Sequence, residues 1–223
     1  MTGQRPFQRL SLVDVAGPRS QNIEWQSGQV TREKREGVRG HKGVALWLTG
    51  LSGAGKSTLA HALERVLIER GMSAYVLDGD NIRHGLSRDL GFSPAERHEN
   101  NRRVGEVAKL FVDAGVVVLC ALVSPYRADR EQLRSAMRPG DFVEIYVLAS
   151  LTACKARDPK GLYEKAAHGE IEDMTGVAAP YEPPEHPDLV VDTERADPAE
   201  SVAQVLGFLE HRGYIAQEGN PPR

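Results

Sequence analysis

Two apolar rhythms take turns along the chain. Val44-Ala45-Leu46-Trp47-Leu48-Thr49 is a short, nearly unbroken apolar run of the kind a buried strand makes. Beyond a glycine-rich stretch, Leu59, Ala62, Leu63, Val66 and Leu67 recur at helical spacing within Thr58–Arg70, and Gly71 stops the run. Ser73–Leu77 reads as a second strand. Ser93-Pro94-Ala95-Glu96 is a helix start, with Ser as N-cap, Pro at N1 and Glu at N3. That helix runs to about Ala114, burying Val104, Val107, Phe111 and Ala114, and Gly115 ends it. Strands follow at Val116–Val123 and Phe142–Leu148, separated by a helix over Ala128–Met137. Ser150 caps a helix through Arg157, Leu189–Thr193 is a last strand, and Asp197-Pro198-Ala199-Glu200 opens a final helix ending near Gly213. Continuous rather than alternating apolar strands imply a sheet covered on both faces. The expectation is therefore an α/β domain, a parallel β-sheet with helices on both faces.

Three segments fall outside this rhythm. Residues 1–38 are polar with little periodicity and read as an N-terminal arm, frayed over 1–20, with Ile23–Trp25 and Val30–Arg35 as candidates for docking on a second subunit. Residues 39–216 make the domain, and 217–223 a short tail. Inside the domain, 158–187 carries Pro159, Gly161, Gly169, Gly176, Pro180, Pro183, Pro184 and Pro187 among charges. A segment so long and irregular within a compact domain is usually functional, and here it reads as a lid.

Composition narrows the function classes. The 223 residues carry a net charge of −3, so no global basic field points to nucleic acid. The two cysteines, Cys120 and Cys154, have no metal-ligand spacing and suggest no disulfide framework. Met1–Leu10 lacks a signal-peptide core, and the longest apolar run, Val116–Val123, is too short to span a bilayer. These features lead to the expectation of a reduced, soluble, cytoplasmic protein.

The chemistry begins in the glycine-rich stretch. Gly50-Leu51-Ser52-Gly53-Ala54-Gly55-Lys56-Ser57 fits the phosphate-binding pattern G-x-x-x-x-G-K-[ST] between a strand and a helix. Its glycines let successive N–H groups point inward, and the following helix adds its N-terminal dipole. Lys56 then reaches the β- and γ-phosphates, and the Ser57 hydroxyl holds Mg²⁺. The competing reading is a glycine-rich turn with a surface lysine. The second strand ends in Asp78-Gly79-Asp80-Asn81, two carboxylates where open α/β sheets place their chemistry; a turn accounts for one of them well and for two less well. Arg97 and Asn100, three apart, share one helix face. A phosphate loop alone leaves GTPase, ATPase and kinase open. No Asn-Lys-x-Asp guanine signature occurs, and Ser124, not an acid, stands at the end of the third strand. Acids after the second strand instead suit a kinase of a small molecule, where a carboxylate faces an acceptor hydroxyl.

Taken together, the chain resembles the adenylyl-sulfate (APS) kinases, of the P-loop kinase fold. The resemblance rests on Gly50–Thr58, Leu77-Asp78-Gly79-Asp80-Asn81-Ile82-Arg83, Gly91-Phe92-Ser93, Glu99-Asn100 with Arg102-Arg103, Glu106–Phe111, Ser124-Pro125-Tyr126-Arg127 and Arg157-Asp158-Pro159-Lys160-Gly161-Leu162-Tyr163. It extends from roughly residue 22 to the final helix. It implies transfer from ATP, with Mg²⁺, to the 3′-hydroxyl of adenosine 5′-phosphosulfate, giving 3′-phosphoadenylyl sulfate and ADP. It also implies a homodimer and a functional coupling to an ATP sulfurylase, with no nucleic-acid or membrane partner. On this reading Gly50 to Thr58 and Arg157 bind ATP, and Ser57 and Asp78 serve the metal. Asp80 orients or deprotonates the hydroxyl. Arg83, Arg97 and Lys160 are cations for the phosphosulfate, because guanidinium forks suit oxyanions. Phe92 stacks on adenine, with Asn100 beside it, and Val123 and Ser124 line the substrate pocket. The family also carries an assignment of this serine as a transient phosphoserine, so Ser124 joins Lys56 and Asp80 as a catalytic candidate. Two positions depart from the family pattern: Met174 stands where an aromatic normally closes on the substrate adenine, and Asn101 where an isoleucine packs. The competing readings are a kinase for another small alcohol, such as a nucleoside or sugar acid, and a catalytically silent nucleotide-binding regulator.

Overall fold

The computed structural model describes residues 22–24, 26, 28–171 and 173–217. The expected fraying over 1–20, the docking role of Trp25 and nearly all of the expected tail lie outside these residues.

Five strands form one parallel sheet: β1 (Val44–Thr49), β2 (Ala74–Asp78), β3 (Val117–Ala121), β4 (Phe142–Leu148) and β5 (Leu189–Asp192), in the order β2-β3-β1-β4-β5. β1 is central, with Leu46 opposite both Leu119 of β3 and Val143 of β4. All six of its residues are buried, because its two side-chain rows feed two different cores. Val44, Leu46 and Leu48 face α2 (Lys56–Glu69) and α8 (Pro198–His211), packing with Leu59, Leu63, Val205 and Leu209. Ala45 and Trp47 face α4 (Pro94–Asp113) and α5 (Arg127–Ser135), packing with Val104, Ala108 and Leu133. The doubly covered parallel sheet is thus the architecture expected from the apolar runs. The capping boxes at Ser93 and Asp197 are both formed.

Three local differences from the sequence reading bear on function. The strand expected over 116–123 leaves the sheet after Ala121, freeing Leu122–Ser124 to line its carboxyl edge. The expected lid contains a short helix, α7 (Leu162–Ala167). Asp158 starts it by accepting the N–H groups of Leu162, Tyr163 and Glu164 at 2.8–3.1 Å. The last part of the expected arm is also a helix, α1 (Arg32–Arg39), which buries no side chain and docks through charge. Arg32 binds Asp141 at 2.6 Å and the Gly43 carbonyl at 2.9 Å, and Arg35 binds Asp113 at 2.8 Å. The remaining helices are α3 (Gly79–His84) and α6 (Leu151–Arg157).

Candidate active site

The carboxyl ends of the strands gather the candidate residues. The phosphate loop leaves β1 at Gly50, where a Cβ would lie 2.4 Å from the Val147 carbonyl oxygen of the neighbouring strand. At Gly55 the backbone turns into α2 with φ of 99°, a region side chains other than glycine's resist. Lys56, the first residue of α2, folds back over the loop and donates to the Gly50 and Leu51 carbonyls at 2.9 and 2.7 Å. It is 8 % exposed, and burial lowers its pKa to about 8.

Asp78 joins the phosphate loop to the next group of residues. Its Oδ2 accepts the Ser57 hydroxyl at 2.6 Å, and its Oδ1 accepts the Asp80 N–H at 2.9 Å, capping α3. The β2 end, the loop and the first turn of α3 are thereby locked together, with Asp80 beside them. The lid supplies Lys160, whose ammonium pairs with the Asp80 carboxylate. Ser57 and Asp78 are hard oxygen donors, a set that fits a small divalent cation keeping most of its water and taking its other ligands from phosphate. Among the described residues no group of three or more His, Cys, Asp or Glu side chains forms an all-protein metal cage.

A cationic platform lies across from the loop. Arg83 on α3 donates to the Leu90 and Gly91 carbonyls, with its guanidinium 4.2 Å from the Phe92 ring centroid. Arg97 on α4 stands 5.4 Å from the same centroid and donates to the Phe92 carbonyl at 2.8 Å and to the lid at Asp173 O, 3.0 Å. Burial lowers both pKa values, and for Arg83 the charge of Arg97 adds to the effect. The Phe92 ring itself is 57 % exposed. Asn100, one turn beyond Arg97, is buried with its Oδ1 unpartnered, an acceptor aimed at nothing in the protein.

Ser124 closes the floor. Its φ is +36°, a left-handed conformation before Pro125 that costs about 1–3 kcal/mol and is held by its surroundings. Thr49 Oγ1 donates to the Val123 carbonyl at 2.8 Å, Trp47 Nε1 to Ser124 Oγ at 2.8 Å, and Arg130 Nη1 to the Ser124 carbonyl at 2.6 Å. On the opposite side, Arg157 at the end of α6 donates to Thr193 Oγ1 and O at 3.0 and 2.7 Å and to the Gly53 carbonyl at 3.4 Å.

Met174 is buried within the lid. It is 7 % exposed and belongs to the core cluster that Leu51 packs against, whereas the Phe92 ring is exposed. The cause is the turn that follows. The N–H groups of Val177, Ala178 and Ala179 all converge on the Met174 carbonyl, and Gly176 lies so close to Leu51 that a Cβ would come within 2.7 Å of its Cδ2.

The sequence reading missed several residues. Thr193 donates from Oγ1 to the Ala54 carbonyl at 2.9 Å, and Tyr163 from its hydroxyl to the Ser52 carbonyl at 2.9 Å, so both brace the phosphate loop. Thr193 was findable as the polar residue that ends the last apolar run, and Tyr163 as the last residue of the Arg157–Tyr163 stretch that carries the family resemblance. Arg130 lies in a polar helix, and its one indirect signal is Glu144 inside the apolar run Phe142–Leu148.

Comparison with known proteins agrees with this geometry. The family model for adenylylsulphate kinase matches residues 42–192. An adenylyl-sulfate kinase of Staphylococcus carnosus is 54 % identical over 197 residues, covering 88 % of this chain and 99 % of that protein. One from Prochlorococcus marinus is 57 % identical over 188 residues, covering 84 % and 94 %. The Mycobacterium tuberculosis APS kinase, solved with AMPPNP and APS, superposes with a TM-score of 0.73 at 47 % identity, covering 76 % of this chain and 99 % of that one. With its phosphate loop, paired aspartates and matched length, the chain belongs to the adenylylsulphate kinase family.

Proposed function

We propose that this protein transfers the γ-phosphoryl group of ATP to the 3′-hydroxyl of adenosine 5′-phosphosulfate, giving 3′-phosphoadenylyl sulfate and ADP. The observation that carries the reading is the two-handed grip of Asp78 on Ser57 and on the Asp80 N–H. It sets the Asp80 carboxylate, paired with the lid's Lys160, beside a phosphate loop, the juxtaposition an alcohol kinase needs.

Lys56 leaves the Gly50 and Leu51 carbonyls for the β- and γ-phosphates and stabilises the charge moving to the transferring group. Ser57 and Asp78 would hold Mg²⁺, which would neutralise phosphate charge when bound. Arg157, fixed by Thr193, lies along the ATP adenine. The acceptor's adenine stacks on Phe92, and Asn100 Oδ1 takes a hydrogen bond from its amino group. Arg83, Arg97 and Lys160 grip the phosphosulfate, so Lys160 exchanges the Asp80 carboxylate for the substrate. Asp80, once released, accepts the proton of the 3′-hydroxyl. Val123 and Ser124 shape the pocket floor. In-line transfer to a positioned hydroxyl requires no protein phosphoryl carrier. The working unit is a homodimer, supplied with its substrate by an ATP sulfurylase. Among the described residues no helix is long and apolar enough to cross a membrane.

The test is an acceptor panel with MgATP: adenosine 5′-phosphosulfate against adenosine, AMP and a sugar acid. ADP release dependent on the phosphosulfate alone is expected. Preference for another alcohol would move the chain to a different kinase reaction, and no turnover with any acceptor would favour a silent nucleotide binder.

A further inference from the structure

One buried cation takes no part in the transfer described above. Arg130 on α5 is 2 % exposed, yet all three guanidinium nitrogens are used, each on a different part of the chain. Nε donates to Glu144 Oε1 on β4 at 2.6 Å, Nη1 to the Ser124 carbonyl at 2.6 Å, and Nη2 to the Glu182 carbonyl at 2.7 Å. Glu144, itself buried, is the counter-charge. Its other oxygen lies 3.5 Å from Arg134, which also binds Asp188 at 2.7 Å, and Asp188 in turn accepts the Glu144 N–H at 2.8 Å. Arg130 therefore does not neutralise Glu144 alone. Two of its three bonds go to backbone carbonyls, one in the strained turn under the acceptor pocket and one where the lid returns to the domain.

The same two segments are cross-tied beside it. The Glu182 N–H donates to the Pro125 carbonyl at 2.8 Å, and the Glu182 carboxylate accepts the Arg127 N–H at 2.8 Å. Tyr181 meets Thr49 Oγ1 at 3.0 Å, and that hydroxyl also holds the Val123 carbonyl. The pocket floor and the lid's return thus form one hydrogen-bonded unit, with Arg130 the guanidinium fork that reaches both carbonyls. A lysine, with a single point of charge, cannot span Glu144, Ser124 and Glu182 together.

We propose that Arg130 is a positioning residue for acceptor binding: it sets the Val123–Ser124 floor and the lid return at Glu182 as a single unit, so that lid position and pocket shape change together. The proposal rests on the kinase reading for its kinetic consequence but not for its structural one.

Two variants and two readouts test it. Arg130→Lys keeps the charge against Glu144 and loses the fork. The double variant Arg130→Met/Glu144→Gln removes both buried charges, covering the case in which the single variant fails to fold. Hydrogen exchange on the ligand-free protein reads the coupling without any substrate. In either variant the amides of Arg127 and Glu182 should exchange at least about tenfold faster while those of β1 keep their protection. In steady-state kinetics the KM for adenosine 5′-phosphosulfate should rise about tenfold and the KM for ATP stay within about twofold. Unchanged exchange at Arg127 and Glu182, acceleration shared equally by β1, or equal shifts in both KM values would overturn the proposal. A wild type that does not phosphorylate adenosine 5′-phosphosulfate would end the kinase reading alone, since the exchange experiment still decides the role of Arg130.

Discussion

The indole Nε1 of Trp47 donates to Ser124 Oγ at 2.8 Å, across two neighbouring strand ends and inside the core. Ser124 is 3 % exposed, and among the described residues its hydroxyl proton meets the distant Leu122 carbonyl, at 3.5 Å. On the proposed reading Ser124 is a wall of the pocket: Trp47 engages its oxygen, and among the described residues no side-chain base hydrogen-bonds its hydroxyl. Phosphoryl transfer should proceed with inversion at a chiral γ-phosphorus, and Ser124→Ala should retain turnover within about tenfold. The alanine variant should lose about 1–3 kcal/mol of stability, because it leaves the Trp47 N–H buried and unpaired. Retention of configuration would restore a phosphoserine intermediate.

Lys56 gives a pH signature. Burial holds its pKa at about 8 in the ligand-free protein, against 10.5 ordinarily, a cost on the order of 3 kcal/mol for keeping it charged. A nucleotide triphosphate favours the ammonium, so binding near pH 8 should take up about half a proton per site. Affinity for AMPPNP should fall as pH rises through 8, and calorimetry in buffers of different ionisation enthalpy measures the uptake. In Lys56→Met the uptake should vanish and turnover drop by orders of magnitude, while the melting temperature stays at or above that of the wild type. Proton uptake that persists in this variant would assign it to another group.

The buried position of Met174 reverses the effect that an aromatic would have if it faced the acceptor. Met174→Phe inserts a larger side chain into the packed cluster beside Leu51. It should destabilise the protein by about 1–3 kcal/mol and leave binding of adenosine 5′-phosphosulfate no tighter. Denaturation and a binding titration on the same sample check both. Unchanged stability with tighter acceptor binding would put residue 174 against the ligand.

What could be read from the sequence divides along the range of the interactions. The phosphate loop, the Asp78–Asp80 pair and both capping boxes depend on residues within a few positions of one another, and all are plain in the chain. Helix α7 also starts locally, at Asp158, but Pro159 and Gly161 disguise it. Helix α1 has no apolar stripe to betray it, since it is held by Arg32 reaching Asp141, 109 residues away. Arg130 reads as one more solvated charge until Glu144 and Glu182 close around it from 14 and 52 positions further on. A glutamate inside the apolar run Phe142–Leu148 was the one hint that a buried cation was needed. The burial of Met174 has a related origin: Gly176 and Leu51 lie close where the lid meets the phosphate loop, which no local pattern reveals.

His41 predicts acid sensitivity. Its Nε2 accepts the Ser73 N–H at 3.0 Å and its Nδ1 faces the Lys42 carbonyl at 3.2 Å, an arrangement for the neutral ring. Burial is the first cause that lowers its pKa, with the charge of Arg39 adding to it. Below about pH 6.5 the unfolded chain gains a proton that the fold resists, so stability present above that pH is lost as pH falls toward the depressed value. The urea midpoint should drop more between pH 7.5 and 5.5 for the wild type than for His41→Gln. Equal drops would remove His41 from the acid response.

The most direct measurement is the identity of the phosphorylated product. The protein, ATP, Mg²⁺ and adenosine 5′-phosphosulfate are incubated together and followed by phosphorus NMR. The structure predicts one new phosphomonoester on the ribose 3′-oxygen, formed one for one with ADP and absent in Asp80→Asn and Lys56→Met. ADP formed without that ester, or an ester that persists in both variants, would contradict the assignment of this site to transfer onto the 3′-hydroxyl.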